Sequence, residues 1–459
     1  MVVPARINAS SRGVAPTCEH PNAYTKTTQT WLGHLHRHFR AIHQPGNIIL
    51  TKEVLFPALK TLIETHAVLG ICFDNEADSV DVAFARLSTI ELPHIVEFSE
   101  TCDLQEATER QMCRRFDDTR HDLPLWRVQI LPDNTVILAL HHAIADGIST
   151  AAFHCALLRA LQSASSSSFP SSVVVPDLPL LPAMDDLTDT SVSLWTVFST
   201  LFEALAPRWF TNAYYAWSGH PVPTVIKIQP HVRLVQFDAP DAKRLADACR
   251  AQGATVTSAL YILTVCVLSR LLAATNTSYK TISVLTPISL RGVATPTPTP
   301  SSALCNQASS CTTYPPLKAE FSWSDAARFA VELKAQKLKA REQYGIVRLI
   351  ANRYTRFILG DLGTTRRYGL IFSNLGRIEV DAEAEKAKGK GNAAAQWSMG
   401  NMFFVHEDTF AGPALGLNIV GDPAGGINIC VKWGEESLDA GFVDAFVPMF
   451  EKAFHSLLV

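Results

Sequence analysis

The sequence predicts a mixed α/β fold built from two halves of comparable size. Strand-like and helical segments alternate along both parts of the chain, as is typical of layered α/β architectures. The chain has 459 residues, of which 47% are hydrophobic, so it can form two or three layered units rather than one simple core. A Ser/Pro-rich stretch at residues 163–186 interrupts the alternation and predicts a connection between the halves.

The first half combines helical and strand-like patterns. Helices are expected at residues 53–66, 103–118 and 148–162, and strands at 67–73, 124–131 and 135–142. The last two strands would be joined by a turn at Pro132-Asp133-Asn134, since these are typical turn residues. We therefore predict a first unit at residues 1–165.

The second half begins after the connection, which we place at residues 166–230, and runs from 231 to 459. Residues 232–272 are expected to form a strand, a helix, a glycine turn and a buried helix in that order. A strand that runs into a loop is expected at 281–292, a helix at 323–343 and a strand at 369–380. A C-terminal helix is predicted because Leu438, Phe442, Phe446, Phe450 and Phe454 recur every four residues and form one apolar face. Residues 293–302 and 382–395 are expected to be exposed loops.

Composition excludes several classes of protein. The formal net charge is −3 and no basic segment dominates, so a nucleic-acid partner is not expected. Ten cysteines are scattered without a CxxC pair, which favours reduced thiols and a cytoplasmic protein. The N-terminus lacks the apolar region of a secretory signal. The apolar stretch 259–274 contains Ser269 and Arg270 and is too short for a membrane span, so we expect a buried core helix.

The segment LALHHAIADGIST places two histidines and a carboxylate at the end of an apolar run. Side chains alternate along a strand, so His141 and His142 would point to opposite faces. A metal site that uses both histidines is therefore disfavoured. The spacing brings His142 and Asp146 together on a helix or across a tight turn, and Gly147 suits such a turn.

His142 is a candidate general base because the pKa of histidine lies near neutrality. Asp146 has two candidate roles: it orients the imidazole or its loop through an ion pair, or it N-caps the helix that begins near Ile148, where Ser149 is a competing cap. The structural alternative for the whole group is a capped helix with two buried, satisfied histidines. Spacing alone leaves these alternatives open, because short motifs give many false positives.

The segment HHAIADG resembles the HHxxxDG signature of the chloramphenicol-acetyltransferase-like superfamily of acyltransferases. Other segments resemble that superfamily in the same order: PLWRVQIL before the motif, CRAQGATVTSALYILTVCVL after the connection, TPISLRG and IFSNLGRIEV. The superfamily includes condensation domains, plant BAHD acyltransferases and fungal alcohol acetyltransferases, and the chain resembles the fungal enzymes most. The BAHD signature DFGWG is absent. Ser289 stands where the related Asn-x-Arg segment has asparagine, and Arg291 stands at its arginine.

The resemblance implies two acetyltransferase-like subdomains that form a V around a central tunnel. By this resemblance His142 is the general base, and Asp146 is a structural residue that pairs with Arg291. Gly147 belongs to the same motif, and His141 is a supporting residue of the site. The implied co-substrate is an acyl-CoA, with acetyl-CoA as the expected donor and no bound cofactor. The implied acceptor is a small apolar alcohol, and the protein is expected to be a monomer.

Two further groups of site residues are predicted. Ser373 and Asn374 lie in the SNLG-like segment and are candidate donors to an oxyanion or to the acceptor, with a strand-end turn before Gly376 as the alternative. Arginines in the second half are weakly indicated contacts for the phosphates of CoA, with an ordinary solvated surface as the alternative. These arginines are Arg353, Arg356, Arg366 and Arg367.

Three other functions are consistent with parts of the sequence. They are a condensation-type enzyme that takes its acyl group from a carrier protein, a non-catalytic binding protein of the same fold, and a metal hydrolase that uses His141, His142 and Asp146. The segment HLHRH would place three histidines on one face of a strand, where they can bind a metal, but we expect a polar loop or helix there. For His406 we expect a satisfied strand histidine.

Overall fold

The structure is a computed structural model. It describes residues 34–41, 49–74, 83–117, 120–163, 170–182, 184–187, 189–206, 208–225, 229–275, 278–292, 298–350, 359–380, 397–406 and 410–458. Within these ranges helices and strands alternate, which confirms the predicted mixed α/β fold. Its helices are α1 Lys52–Thr65, α2 Leu92–Ile95, α3 Leu104–Cys113, α4 Gly147–Ser163, α5 Met184–Leu187, α6 Leu194–Leu205, α7 Ala239–Ala251, α8 Val256–Ala274, α9 Trp323–Ile350 and α10 Ala440–Ser456.

The first sheet has five strands in the order β15-β1-β7-β6-β5. They are β1 His34–Ala41, β5 Val96–Phe98, β6 Trp126–Ile130, β7 Thr135–His141 and β15 Met399–His406. Strands β6 and β7 are antiparallel and meet at the predicted turn, where Asn134 has a φ of 64°, a conformation that asparagine tolerates well. Every residue of β7 is buried, as its apolar sequence predicts.

The second sheet has six strands in the order β10-β17-β16-β14-β12-β13. They are β10 Pro230–Phe237, β12 Val284–Ser289, β13 Ala308–Thr313, β14 Leu370–Arg377, β16 Leu415–Gly421 and β17 Ile427–Gly434. Three two-stranded sheets complete the description: β2 Ile71–Phe73 with β3 Phe84–Arg86, β4 Thr89–Glu91 with β8 Ser172–Val174, and β9 Ala216–Trp217 with β11 Thr281–Ile282.

Strand β15 comes from the second half of the chain but belongs to the first sheet. It pairs antiparallel with β1, with Leu35 opposite His406 and His38 opposite Phe403. Strand β1 in turn pairs with β7, which places His34 opposite His141. Because β15 joins the first sheet, its C-terminal end lies close to the end of β7. The candidate site is formed where these two strand ends meet.

Helix α8 is the apolar segment for which the sequence predicts a core position. It is long and apolar enough to cross a membrane, but 67% of its most apolar window is buried in the structure. A capping box between Thr255 and Ser258 begins the helix, and α8 packs against α9 and α10. Phe446, Phe450 and Phe454 of α10 are buried, as the four-residue period predicts. The helix is therefore part of the core.

Some local predictions differ from the structure. The Ser/Pro-rich connection was expected to lack regular elements, but residues 172–174 form β8, because an antiparallel partner in β4 satisfies their backbone groups. The segment HLHRH lies in a strand rather than a loop or helix, since β1 is flanked by β7 and β15. The loop predicted at 382–395 lies outside the described residues, as does the part of the Pro-rich loop at 293–297.

Candidate active site

The two adjacent histidines have different surroundings because β7 ends between them. His141 is the last strand residue, and His142 begins the turn at residues 142–144. His141 is buried between the rings of Phe73 and Phe116, and its Nδ1 accepts a hydrogen bond from the Ala143 N–H at 3.1 Å. Burial lowers the pKa of His141 below the ordinary value of 6.5, so it is a neutral core residue at pH 7.

Asp146 is buried, and its carboxylate has two structural roles. Oδ1 accepts from the N–H of Ser149 at 2.8 Å and from its hydroxyl at 2.9 Å, which caps the first turn of α4. The same carboxylate forms the ion pair expected with Arg291: Nη2 lies 2.9 Å from Oδ1, and Nε lies 3.2 Å from Oδ2. The cap and the ion pair, which the sequence presents as alternatives, therefore coexist.

The side chain of Arg291 is only 5% exposed, and its guanidinium group is surrounded by oxygen acceptors. Besides Asp146 these are the carbonyls of Pro300, Ala303 and Cys305 and the hydroxyl of Ser149, at 3.0, 2.8, 3.0 and 2.8 Å. Ser289, which stands at the position of the related asparagine, accepts the Arg291 main-chain N–H at 3.3 Å. Five donors on a planar group suit this arrangement, which ties the loop after β12 to the start of α4.

His142 is partly exposed, so its imidazole is not sealed in apolar packing. Burial lowers its pKa below 6.5, and the neighbouring His406 lowers it further, whereas Asp146 and the main-chain carbonyl of His142 itself raise it. The net direction is downward. At pH 7 the ring is neutral and has a nitrogen lone pair, which a general base needs.

The two nitrogens of His142 have different neighbours. Nδ1 lies 2.9 Å from the side-chain Nδ2 of Asn306. When Nδ1 carries the proton, Nε2 keeps the free lone pair. Asn306 is a contact of the candidate base that the sequence did not reveal.

His406 is the second histidine of the site. It lies in β15, the strand that the second half of the chain contributes to the first sheet. Its ring is stacked with that of His142, with centroids 6.4 Å apart and an interplanar angle of 10°. It also makes an edge contact with Phe404. His406 therefore lies at the candidate site, beside His142. The sequence predicts only a satisfied histidine in a strand at this position.

The SNLG-like segment occupies β14, in the second sheet. Ser373 is 3% exposed and pairs with Asn418 in β16. The amide of Asn374 donates to the Thr257 hydroxyl at 3.1 Å and accepts from the Gly376 N–H at 2.8 Å. Asn374 thus makes the turn contact of the structural alternative, and a role for either residue in binding substrate stays a prediction.

The arginines proposed for CoA phosphates have different environments. Arg366 is 3% exposed and donates to the carbonyls of His220, Phe410 and Gly412, so it is not at the surface as a phosphate contact would be. Arg367 forms a two-point ion pair with Asp361 at 2.7 and 2.8 Å. Arg353 and Arg356 lie outside the described residues.

No group of three histidine, cysteine or acidic side chains within the described part of the chain is arranged to hold a metal ion. His141, His142 and Asp146 all belong to that part. His141 is packed between aromatic rings, and Asp146 is bonded to Arg291, so the three side chains point to different neighbours. The metal-hydrolase alternative has no support from this geometry.

Comparison with known proteins agrees with this geometry. Residues 97–296 match the family model named alcohol acetyltransferase, and this range contains the HHAIADG motif, Asp146 and Arg291. The chain is similar to the alcohol acetyltransferases of fungi. A probable alcohol acetyltransferase of Fusarium pseudograminearum, FCK4, is 23% identical over 412 residues, covering 82% of this chain and 80% of that protein.

Two other relatives match a shorter part of this alcohol acetyltransferase-like chain. The probable alcohol acetyltransferase crmB of Aspergillus fumigatus is 30% identical over 165 residues, and an uncharacterized protein of Schizosaccharomyces pombe is 27% identical over 162 residues. The matches cover 36% and 35% of these relatives' own lengths and 31% and 34% of this chain.

Solved structures identify the fold of the alcohol acetyltransferase-like chain. The trichothecene 15-O-acetyltransferase TRI3 of Fusarium sporotrichioides superposes with a TM-score of 0.68 at 14% identity, covering 94% of this chain and 92% of that one. The condensation domain of the monacolin K polyketide synthase MokA gives a TM-score of 0.59 at 13% identity with the same coverage. The fold is therefore shared with this acetyltransferase and with this condensation domain, as the resemblance predicts.

Proposed function

We propose that the chain is an acyl-CoA-dependent O-acyltransferase. It transfers an acyl group to the hydroxyl of a small apolar alcohol, and acetyl is the acyl group that we expect. The observation that carries the proposal is a neutral, partly exposed His142 held beside a buried ion pair, within a segment that matches the alcohol acetyltransferase family model. Similarity to probable alcohol acetyltransferases supports the same reaction class.

The proposed chemistry requires one base and no covalent enzyme intermediate. Nε2 of His142 takes the hydroxyl proton while the alcohol oxygen attacks the thioester carbonyl, giving a tetrahedral oxyanion and an imidazolium ion. The C–S bond then breaks, the ester is released, and the departing thiolate takes the proton from Nε2 to give free CoA. The imidazole returns to its neutral state, so protons balance over the cycle. Asp146 and Arg291 shape the turn that carries this base.

The direct test is to incubate the purified chain with acetyl-CoA and a panel of apolar alcohols. Free CoA is followed with a thiol reagent, and the ester is identified by mass spectrometry. Cys102 and Cys113 are exposed and react with the same reagent, so a blank without acceptor is subtracted. Acceptor-dependent release of CoA with formation of an ester supports the proposal.

A carrier-bound donor gives a distinct outcome in the same assay. The fold is shared with a condensation domain, so acyl groups on a phosphopantetheine carrier are offered in parallel with acetyl-CoA. Ester formation from the carrier alone would replace the CoA-dependent proposal with a condensation-type function. No transfer from either donor across the alcohol panel would contradict the proposed transferase.

The pH profile should reflect the lowered pKa of His142. A base whose pKa lies below 6.5 keeps its lone pair as acidity rises, so kcat/KM is expected to stay level from pH 8 to below 6.5 and to fall only at lower pH. The measurement is the initial rate at low substrate concentration across this range. A decline centred at or above 6.5 would contradict the assignment.

The same measurement needs a check on folding. His141 and His142 have pKa values lowered in the folded state, so the unfolded chain binds more protons below pH 6.5 and stability falls as the pH drops through that region. Thermal melts at each pH separate this effect from titration of the base. Replacing His406 with Gln should raise the pKa of His142 and move the decline to higher pH.

A further inference from the structure

Asn306 lies beside the imidazole of His142 in the segment that leads into β13. Its Nδ2 donates to the His142 main-chain carbonyl and lies 2.9 Å from Nδ1 of the ring. Its Oδ1 accepts the N–H of Ala308 at 3.3 Å, which determines which end of the amide is the donor. We propose that Asn306 is the positioning residue for His142. This inference rests on the proposed function, since it assumes that His142 is the base.

The main chain on both sides of Asn306 is fixed by the buried ion pair. The carbonyl of Cys305 accepts from the Asp146 N–H at 3.1 Å and from Nη2 of Arg291 at 3.0 Å. On the other side, the N–H of Gln307 donates to Oδ2 of Asp146 at 3.1 Å. The amide between these two anchors has little freedom to leave the imidazole. The Asp146–Arg291 ion pair is thus connected to His142 through residues 305–307.

The amide of Asn306 contacts both the main chain and the ring of His142. Its Nδ2 donates to the main-chain carbonyl and lies within hydrogen-bond distance of Nδ1, so one anchored group holds the imidazole against the turn. The direction in which Nε2 points therefore depends on Asn306.

The first test compares Asn306→Ala with the wild-type chain. Loss of the amide frees the turn and the ring, and misplacement of a catalytic group by about 1 Å costs up to roughly a hundredfold in rate. We expect kcat to fall by about ten- to a hundredfold while KM stays within a small factor. Asn401→Ala is the matched control: its amide donates to Gln236 at 3.0 Å on an exposed surface, and turnover should not change.

The second variant, Asn306→Asp, keeps the shape of the side chain but replaces the donor with a carboxylate. A carboxylate beside Nδ1–H stabilises the imidazolium ion and raises the pKa of His142. The decline of kcat/KM on acidification should therefore move to higher pH than in the wild type. His406 and Asp146, the other ionisable groups near the ring within the part of the chain that the structure describes, are unchanged in this variant. A merely structural role for Asn306 would not move the profile.

An activity-independent measurement completes the test. In ¹⁵N spectra of histidine-labelled protein without substrate, the Nδ1 signal of His142 should differ between the wild type and Asn306→Ala, because the amide lies 2.9 Å from that nitrogen. Identical ring signals and identical kcat in the two proteins would overturn the role of Asn306. If the wild type transfers no acyl group, the proposed function fails, while the ring signals still decide whether Asn306 positions the imidazole.

Discussion

Replacing His142 with Ala is expected to lower turnover by about 10²–10⁴-fold, because a positioned general base contributes a factor of that size. The side chain is partly exposed at a turn and makes no core contact comparable to that of His141, so the variant should stay folded. Turnover is measured as acceptor-dependent CoA release, and folding is measured by circular dichroism and thermal melting.

The matched control for this substitution is His94→Ala. His94 is an exposed histidine in the short helix α2, and its removal should leave turnover unchanged. Wild-type turnover in a folded His142→Ala protein would reject His142 as the base. Equal losses in both variants would point to a general effect on the protein rather than to the chemistry.

Replacing Asp146 with Ala is expected to be the most destabilising single change at the site. It leaves the buried Arg291 without its counter-ion and removes the cap of α4, and breaking a buried ion pair costs about 3–5 kcal/mol. For a chain of 459 residues the unfolding entropy is about 1 kcal/mol per degree, so Tm should fall by about 3–5 °C. Differential scanning calorimetry measures this shift.

An exposed ion pair provides the control for Asp146→Ala. Lys243 and Asp247 are one turn apart on α7, and Nζ of the lysine lies 2.6 Å from Oδ2 of the aspartate. Both side chains are well exposed. Lys243→Ala should change stability by less than about 1 kcal/mol, because exposed pairs are screened by water and salt. If the two substitutions lowered Tm equally, the Asp146–Arg291 pair would not be the anchor of this region.

The sequence predicts well what depends on local pattern. The apolar run of β7, the four-residue period of α10 and the turn at Pro132-Asp133-Asn134 lead directly to the observed elements. The strict alternation expected through His142 fails, because β7 ends one residue earlier and the chain turns. The side chain is therefore placed by the turn and by Asn306 rather than by the pleat of the strand.

The sequence does not predict contacts that join distant segments. Asn306 is 164 residues from His142, and no periodicity or motif marks it. His406 reaches the site because β15 leaves its own half and pairs with β1, which no local pattern in NMFFVHEDTFAG indicates. The pairing of Asp146 with Arg291 was predicted only through resemblance, since 145 residues separate them. Tertiary packing, not propensity, creates these contacts.

The protonation state of His142 tests its role as the general base most directly. Long-range ¹H–¹⁵N spectra of histidine-labelled wild-type protein, with His142→Asn to assign the signal, report both ring nitrogens between pH 6 and 8. If His142 is the base, we expect a neutral ring throughout, with the proton on Nδ1 and an unprotonated Nε2. An imidazolium ion at pH 7, or a neutral ring with its proton on Nε2, would contradict it.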